Sequence, residues 1–107
     1  MTPEPPSALA VRTVAVVGAG TMGAGIAQVF AQAGFEVMLH DASAGALSRA
    51  GDAMSRSLSR FVEKGVLAPG MRDRALDHVK FSTDLGVASR ADLVVEADPR
   101  PPLPAVP

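Results

Sequence analysis

Gly18-Ala19-Gly20-Thr21-Met22-Gly23 is the stretch that decides the fold. A G-x-G-x-x-G sequence gains meaning from what flanks it. Upstream, Thr13-Val14-Ala15-Val16-Val17 is an unbroken apolar, β-branched run, which predicts a buried parallel strand. Downstream, Met22, Ile26, Val29, Phe30 and Ala33 recur at helical spacing through Thr21 to Ala33, and Gly34 follows as the expected C′ residue. Phe35 to His40 then predicts a second strand, completing a right-handed βαβ unit. In this context each glycine has a physical task. Gly18 permits the tight turn out of the strand, Gly20 lets a pyrophosphate approach the backbone, and Gly23 lets the helix pack closely on the strand. The N–H groups and dipole of the helix start hold the phosphate charge.

The loop does not serve a nucleoside triphosphate. Ala24-Gly25 stand where a phosphate-binding lysine and a Mg²⁺-binding hydroxyl would be needed. Asp41 closes the second strand about twenty residues after the glycines, where an acid accepts hydrogen bonds from a ribose 2′-OH and repels a 2′-phosphate. No arginine stands at 42 to 44, so NAD is expected over NADP. A FAD site uses the same glycines and a small residue such as Ala27, but its usual acid is Glu, and the excursion that follows here is a helical hairpin.

Outward from this unit, Ser43 is a candidate N-cap for a helix carrying Leu47, Met54, Leu58, Phe61 and Val62, which Gly65 ends. Pro69 and Gly70 read as a break, and Met71 to His78 as a short helix with Met71, Ala75 and Leu76 inward. Val79 to Ser82 predicts a weak third strand, with a turn or helical turn from Thr83 to Ser89. Asp92 to Ala97 predicts a fourth strand with Leu93-Val94-Val95 as its buried centre. Strands alternating with helices give an α/β, Rossmann-type parallel sheet of about four strands, with a helical hairpin between the second and third. Residues 11–97 form the domain. The proline-rich residues 1–10 and 98–107 are expected to be unstructured tails, the second also readable as a polyproline ligand.

Composition narrows the function. The chain has 107 residues, a net charge of −1, 48% hydrophobic residues and no cysteine. One small domain fits that length. There is no clustered basic surface for nucleic acid, and four Phe without Trp or Tyr make no stacking platform. No apolar run approaches the ~18 residues of a membrane span, and no signal peptide is evident. A cytoplasmic protein without thiol or cysteine-metal chemistry is expected.

Gly18 to Gln28 (Gly-Ala-Gly-Thr-Met-Gly-Ala-Gly-Ile-Ala-Gln) goes well beyond the generic fingerprint. It resembles the NAD-binding domain of 3-hydroxyacyl-CoA dehydrogenases, especially the 3-hydroxybutyryl-CoA type. Phe35 to Asp41, the hairpin at 44–78, Ser82-Thr83-Asp84-Leu85 and Ala91 to Ala97 extend the likeness over residues 12–97. The resemblance implies oxidation of a 3-hydroxyacyl-CoA with hydride passing to NAD⁺. It implies Gly18, Ala19, Gly20, Thr21, Met22 and Gly23 at the pyrophosphate, Asp41 at the adenine ribose, Ala97 towards the nicotinamide, and Ser57 and Lys64 against coenzyme A. Sister dehydrogenases for 3-hydroxyisobutyrate or 6-phosphogluconate share the glycine start but lack the hairpin.

The resemblance stops at Ala97, where Asp98-Pro99-Arg100-Pro101-Pro102 replaces the family's sequence. The family's catalytic histidine and its acid partner have no counterpart here, and His40 and His78 match no catalytic position. No metal site is expected. The chain therefore reads as an incomplete fold, inactive alone and lacking a C-terminal domain or complementing chain. The alternatives are a non-catalytic NAD(H)-binding module and an unstable fragment.

Overall fold

The computed structural model describes residues 11–97; both proline-rich segments lie outside the described residues. Four parallel strands form one sheet in the order β3-β2-β1-β4. In chain order the elements are β1 Thr13–Val17, α1 Thr21–Gln32, β2 Glu36–His40, α2 Ala44–Glu63, α3 Pro69–Asp77, β3 Val79–Ser82, a 3-10 segment Leu85–Arg90 and β4 Leu93–Glu96. The expected α/β class, the four strands and the hairpin between β2 and β3 are all present. All four strands point their C-terminal ends at one rim, and the glycine loop leaves that rim at the end of β1.

Alternation along the strands builds the core. Val14 pairs with Val37 and Val37 with Val79, while Val16 pairs with Leu39, so these side chains line one face of the sheet. Helices α1, α2 and α3 pack together over them, contributing Ala24, Ala27, Ala31, Leu47, Met54, Leu58 and Ala75. Leu39, Met54 and Leu58 are the largest fully buried side chains, each contributing about 2–3 kcal/mol of transfer free energy. The 3-10 segment packs on β1 and β2. The return from β3 to β4 across the sheet is right-handed only if it passes over the other face.

Helix α1 has two apolar faces. The buried one is made of small residues, Gly23, Ala24, Ala27 and Ala31, together with Gln28. The larger row is not the buried one: Met22 and Val29 are 58% and 65% exposed. Gln28 Nε2 donates to Ser57 Oγ at 3.0 Å and to Gln32 Oε1 at 3.2 Å, satisfying a polar group buried between α1 and α2.

The hairpin is capped and clamped by its polar residues. Ser43 caps α2 as expected, its hydroxyl accepting from Ala46 N–H, and Gly65 takes a positive φ of 74° just past its end. Arg72 on α3 reaches back to α2, donating to Ser55 Oγ and Ser59 Oγ, both at 2.9 Å.

Three expectations are corrected. Pro69 is not a break; it opens α3 at its first position, where the missing N–H costs nothing. Met71 consequently falls on the outer side and is 40% exposed. Leu93 and Val94 are 39% and 48% exposed, not the buried centre of β4, because β4 is an edge strand with no further element beside it among the described residues. At the opposite rim from the glycine loop, Asp92 Oδ2 accepts from Arg12 N–H, Thr13 N–H and the Thr13 hydroxyl, tying the start of β4 to the start of β1.

Candidate functional site

The glycine loop sits between the C-terminal ends of β2 and β4. Gly18 has φ 107°, a left-handed conformation that side chains disfavour, and its N–H donates to His40 O at 2.8 Å. A Cβ on Gly23 would overlap the Gly18 carbonyl and would come 3.5 Å from the Ala97 Cβ. Gly23 is thus required by close packing of α1 on the loop. Gly20 differs: its φ is −72°, and nothing lies within 4 Å of where its Cβ would stand. Neither backbone conformation nor packing within the chain asks for glycine there, whereas a ligand approaching the backbone would.

Gly20 is also the N-cap of α1, and no side chain caps the helix. The N–H groups of Thr21, Met22 and Gly23 open the helix without intrahelical acceptors. These residues fit a dinucleotide diphosphate: a bare backbone, free donors and the positive end of a twelve-residue helix. Ala19 is buried beneath the loop, and its N–H is occupied, donating to Asp41 Oδ2 at 2.9 Å. Asp41 Oδ1 accepts from Ser43 N–H, also at 2.9 Å. Ala97 is buried, with its N–H donating to Val17 O at 2.8 Å.

Ser57 and Lys64 both lie on α2, but away from the loop. The Ser57 hydroxyl accepts the Gln28 amide, and Lys64 is the exposed C-cap. His78 is remote from the loop, at the start of β3, with Nδ1 3.2 Å from Glu36 Oε1 in a geometry that falls short of a hydrogen bond. His40 ends β2 with Nδ1 buried and unbonded. No group of three or more potential metal ligands occurs among the described residues.

A cleft of about 290 Å³ runs between the loop and α2, with Gly20 and Thr21 on one side and Arg49, Ala50, Ala53 and Arg56 on the other. The two arginines belong to no motif of the sequence. Their signal is a seven-residue spacing on a helix whose buried row is Leu47, Ala50, Met54 and Leu58. A larger concavity of about 490 Å³ lies on the outer apolar side of α1, over Met22, Ile26, Val29 and Phe30. It has few polar groups to orient a nucleotide, so the cleft at the glycine loop is the better candidate.

Residues 13–99 match the family described as 3-hydroxyacyl-CoA dehydrogenase, NAD binding domain. The chain belongs to that family. An Escherichia coli 3-hydroxyadipyl-CoA dehydrogenase is 47% identical over 87 residues, 81% of this chain and 18% of the relative. A Mycobacterium tuberculosis 3-hydroxybutyryl-CoA dehydrogenase is 42% identical over 82% of this chain and 31% of its own length. The crystal structure of (S)-3-hydroxybutyryl-CoA dehydrogenase from Ralstonia eutropha superposes with a TM-score of 0.81 at 38% identity, covering 83% of this chain and 31% of that one. The 3-hydroxyacyl-CoA dehydrogenase NAD-binding domain thus accounts for nearly all the described residues, and the chain spans less than a third of these relatives. Among the described residues no helix is long and apolar enough to cross a membrane.

Proposed function

We propose that this chain binds NAD(H) as the cofactor-holding part of a 3-hydroxyacyl-CoA dehydrogenase. Gly18 to Gly23 would cradle the diphosphate, with Gly20 giving backbone access and the N–H groups of Thr21, Met22 and Gly23 donating. Asp41 would accept from the adenine ribose, as an acid at the end of the second strand of such a unit does. Ala97 would floor the nicotinamide side. Ser57 and Lys64 on α2 would meet the coenzyme A of an acyl-CoA substrate, Lys64 as a point charge for phosphate. When bound, NAD supplies the hydride acceptor. The chain supplies binding and orientation, and a cytoplasmic location suits it.

The observation that carries this reading is Gly20: a glycine that neither its own φ nor its neighbours require, at the uncapped start of a helix. His78 lies at the rim of the sheet away from the glycine loop, and His40 beside the loop has its Nδ1 buried without a partner. As the cofactor-holding part of such an enzyme, the chain by itself is expected to bind NAD(H) without turnover. Calorimetric titration with NADH tests the first part, saturable binding being expected. Mixing the purified chain with NAD⁺ and 3-hydroxybutyryl-CoA tests the second, and steady NADH formation would refute it.

A further inference from the structure

The cleft beside the glycine loop has a charge that the fingerprint does not explain. Arg49 and Arg56 line it, no carboxylate does, and neither guanidinium forms an ion pair among the described residues. They stand seven residues apart on α2, two turns along one face, so both side chains can bend over the same opening. Between them Ala50 and Ala53 keep the floor low. Arg49 lies back along the first turn of its helix: a Cβ on Gly45 would come 3.4 Å from its Nη1. The opposite wall of the cleft is Gly20 and Thr21, where the diphosphate would rest. One backbone donor of that loop, Ala19 N–H, is already held by Asp41.

Resting on the proposed cradle, we propose that Arg49 and Arg56 are positioning residues that grip the dinucleotide diphosphate from the α2 side. The arrangement suits that chemistry. Each phosphate of a diphosphate diester carries one negative charge, and planar guanidinium groups bond phosphate oxygens in pairs. The loop offers neutral N–H donors on one wall, and α2 offers two cations on the other. Coenzyme A carries the same adenosine diphosphate chemistry, and NADP adds a 2′-phosphate. The shared wall with Gly20 and Thr21 assigns the grip to NAD.

The test is calorimetric titration of the 107-residue chain and its R49Q, R56Q and double variants with NADH, adenosine, coenzyme A and NADPH. Each single variant is expected to bind NADH about tenfold more weakly and the double variant more weakly still. R49K and R56K should recover part of the loss, as a point charge replaces the fork. Added salt should weaken NADH binding by the parent chain more than by the double variant, because exposed charges are screened. Adenosine, which has no phosphate, should bind all forms alike. Melting curves without ligand should coincide, because both side chains are exposed. Unchanged NADH affinity in the double variant overturns the proposal while leaving the cradle standing. A loss confined to coenzyme A or to NADPH also overturns it, by assigning the arginines to that ligand's phosphates. Failure of the parent chain to bind NADH overturns the cradle and the grip together.

Discussion

Asp41 Oδ2 accepts a hydrogen bond from Ala19 N–H across 2.9 Å, so the end of β2 holds the second residue of the glycine loop. The other oxygen of the same carboxylate holds Ser43 N–H just before α2 begins. One side chain therefore fixes the loop and the start of a helix, besides facing the proposed ribose.

Asp41→Ala should lose in two measurable ways. Two charge-assisted hydrogen bonds to backbone N–H groups disappear, lowering stability by about 1–3 kcal/mol in urea unfolding. NADH affinity should fall at least about tenfold, since an acceptor for the ribose is removed and the loop loosens. An unchanged melting temperature with unchanged NADH affinity would refute both roles.

Gly20→Ala and Gly23→Ala should separate binding from folding. A Cβ at 23 runs into the Gly18 carbonyl, which is backbone and cannot swing aside. Gly23→Ala should cost about 3 kcal/mol or more. A Cβ at 20 meets open space at an ordinary φ. Gly20→Ala should leave stability within about 0.5 kcal/mol or raise it slightly, yet impair NADH binding. Thermal melts with and without NADH distinguish the two.

Acid should weaken the fold partly through Asp92. Hydrogen bonds from Arg12 N–H, Thr13 N–H and the Thr13 hydroxyl hold its carboxyl below the ordinary value of 3.8. The folded chain thus releases this proton more readily than the unfolded one. Its contribution is present above that ordinary value and is lost as pH falls through the lowered folded value. Urea midpoints between pH 2 and 6 should drop less steeply for Asp92→Asn than for the parent chain. Parallel slopes would contradict the assignment.

The two faces of α1 and the core of α2 predict opposite responses to truncation. Leu58→Ala removes a side chain that is 2% exposed and should cost about 2–5 kcal/mol. Val29→Ser alters one that is 65% exposed and should change stability by about 0.5 kcal/mol or less. A large loss at Val29, by chemical denaturation, would mean that its face is covered in solution.

Much of this was legible in the residues, for reasons that also mark where legibility stopped. β1, the loop and the start of α1 announce themselves because strand run, glycines and helical spacing are local signals. Ser43 and Gly65 read correctly because caps act within one turn. Spacing along α1 locates a helix but not its inner side: the buried residues are the small Gly23, Ala24, Ala27 and Ala31, together with Gln28, which bonds to Ser57 on α2. Leu93-Val94-Val95 has the composition of an interior strand, but its surroundings depend on neighbours that the run itself does not encode. Pro69 signals a break through its missing N–H, but at the first position of a helix that lack is harmless. Arg49 and Arg56 gain their meaning only when α2 folds back beside the loop, twenty-nine or more residues away from Gly20.

The loop is held by residues far along the chain. Asp41 lies 22 residues beyond Ala19, and Ala97, which backs Gly23, lies at the far end of β4. Because synthesis delivers the N-terminus first, the loop leaves the ribosome early yet waits for β4 before its floor is in place. The packing of Ala97 against Gly23 can therefore close only after every strand of the sheet has been made.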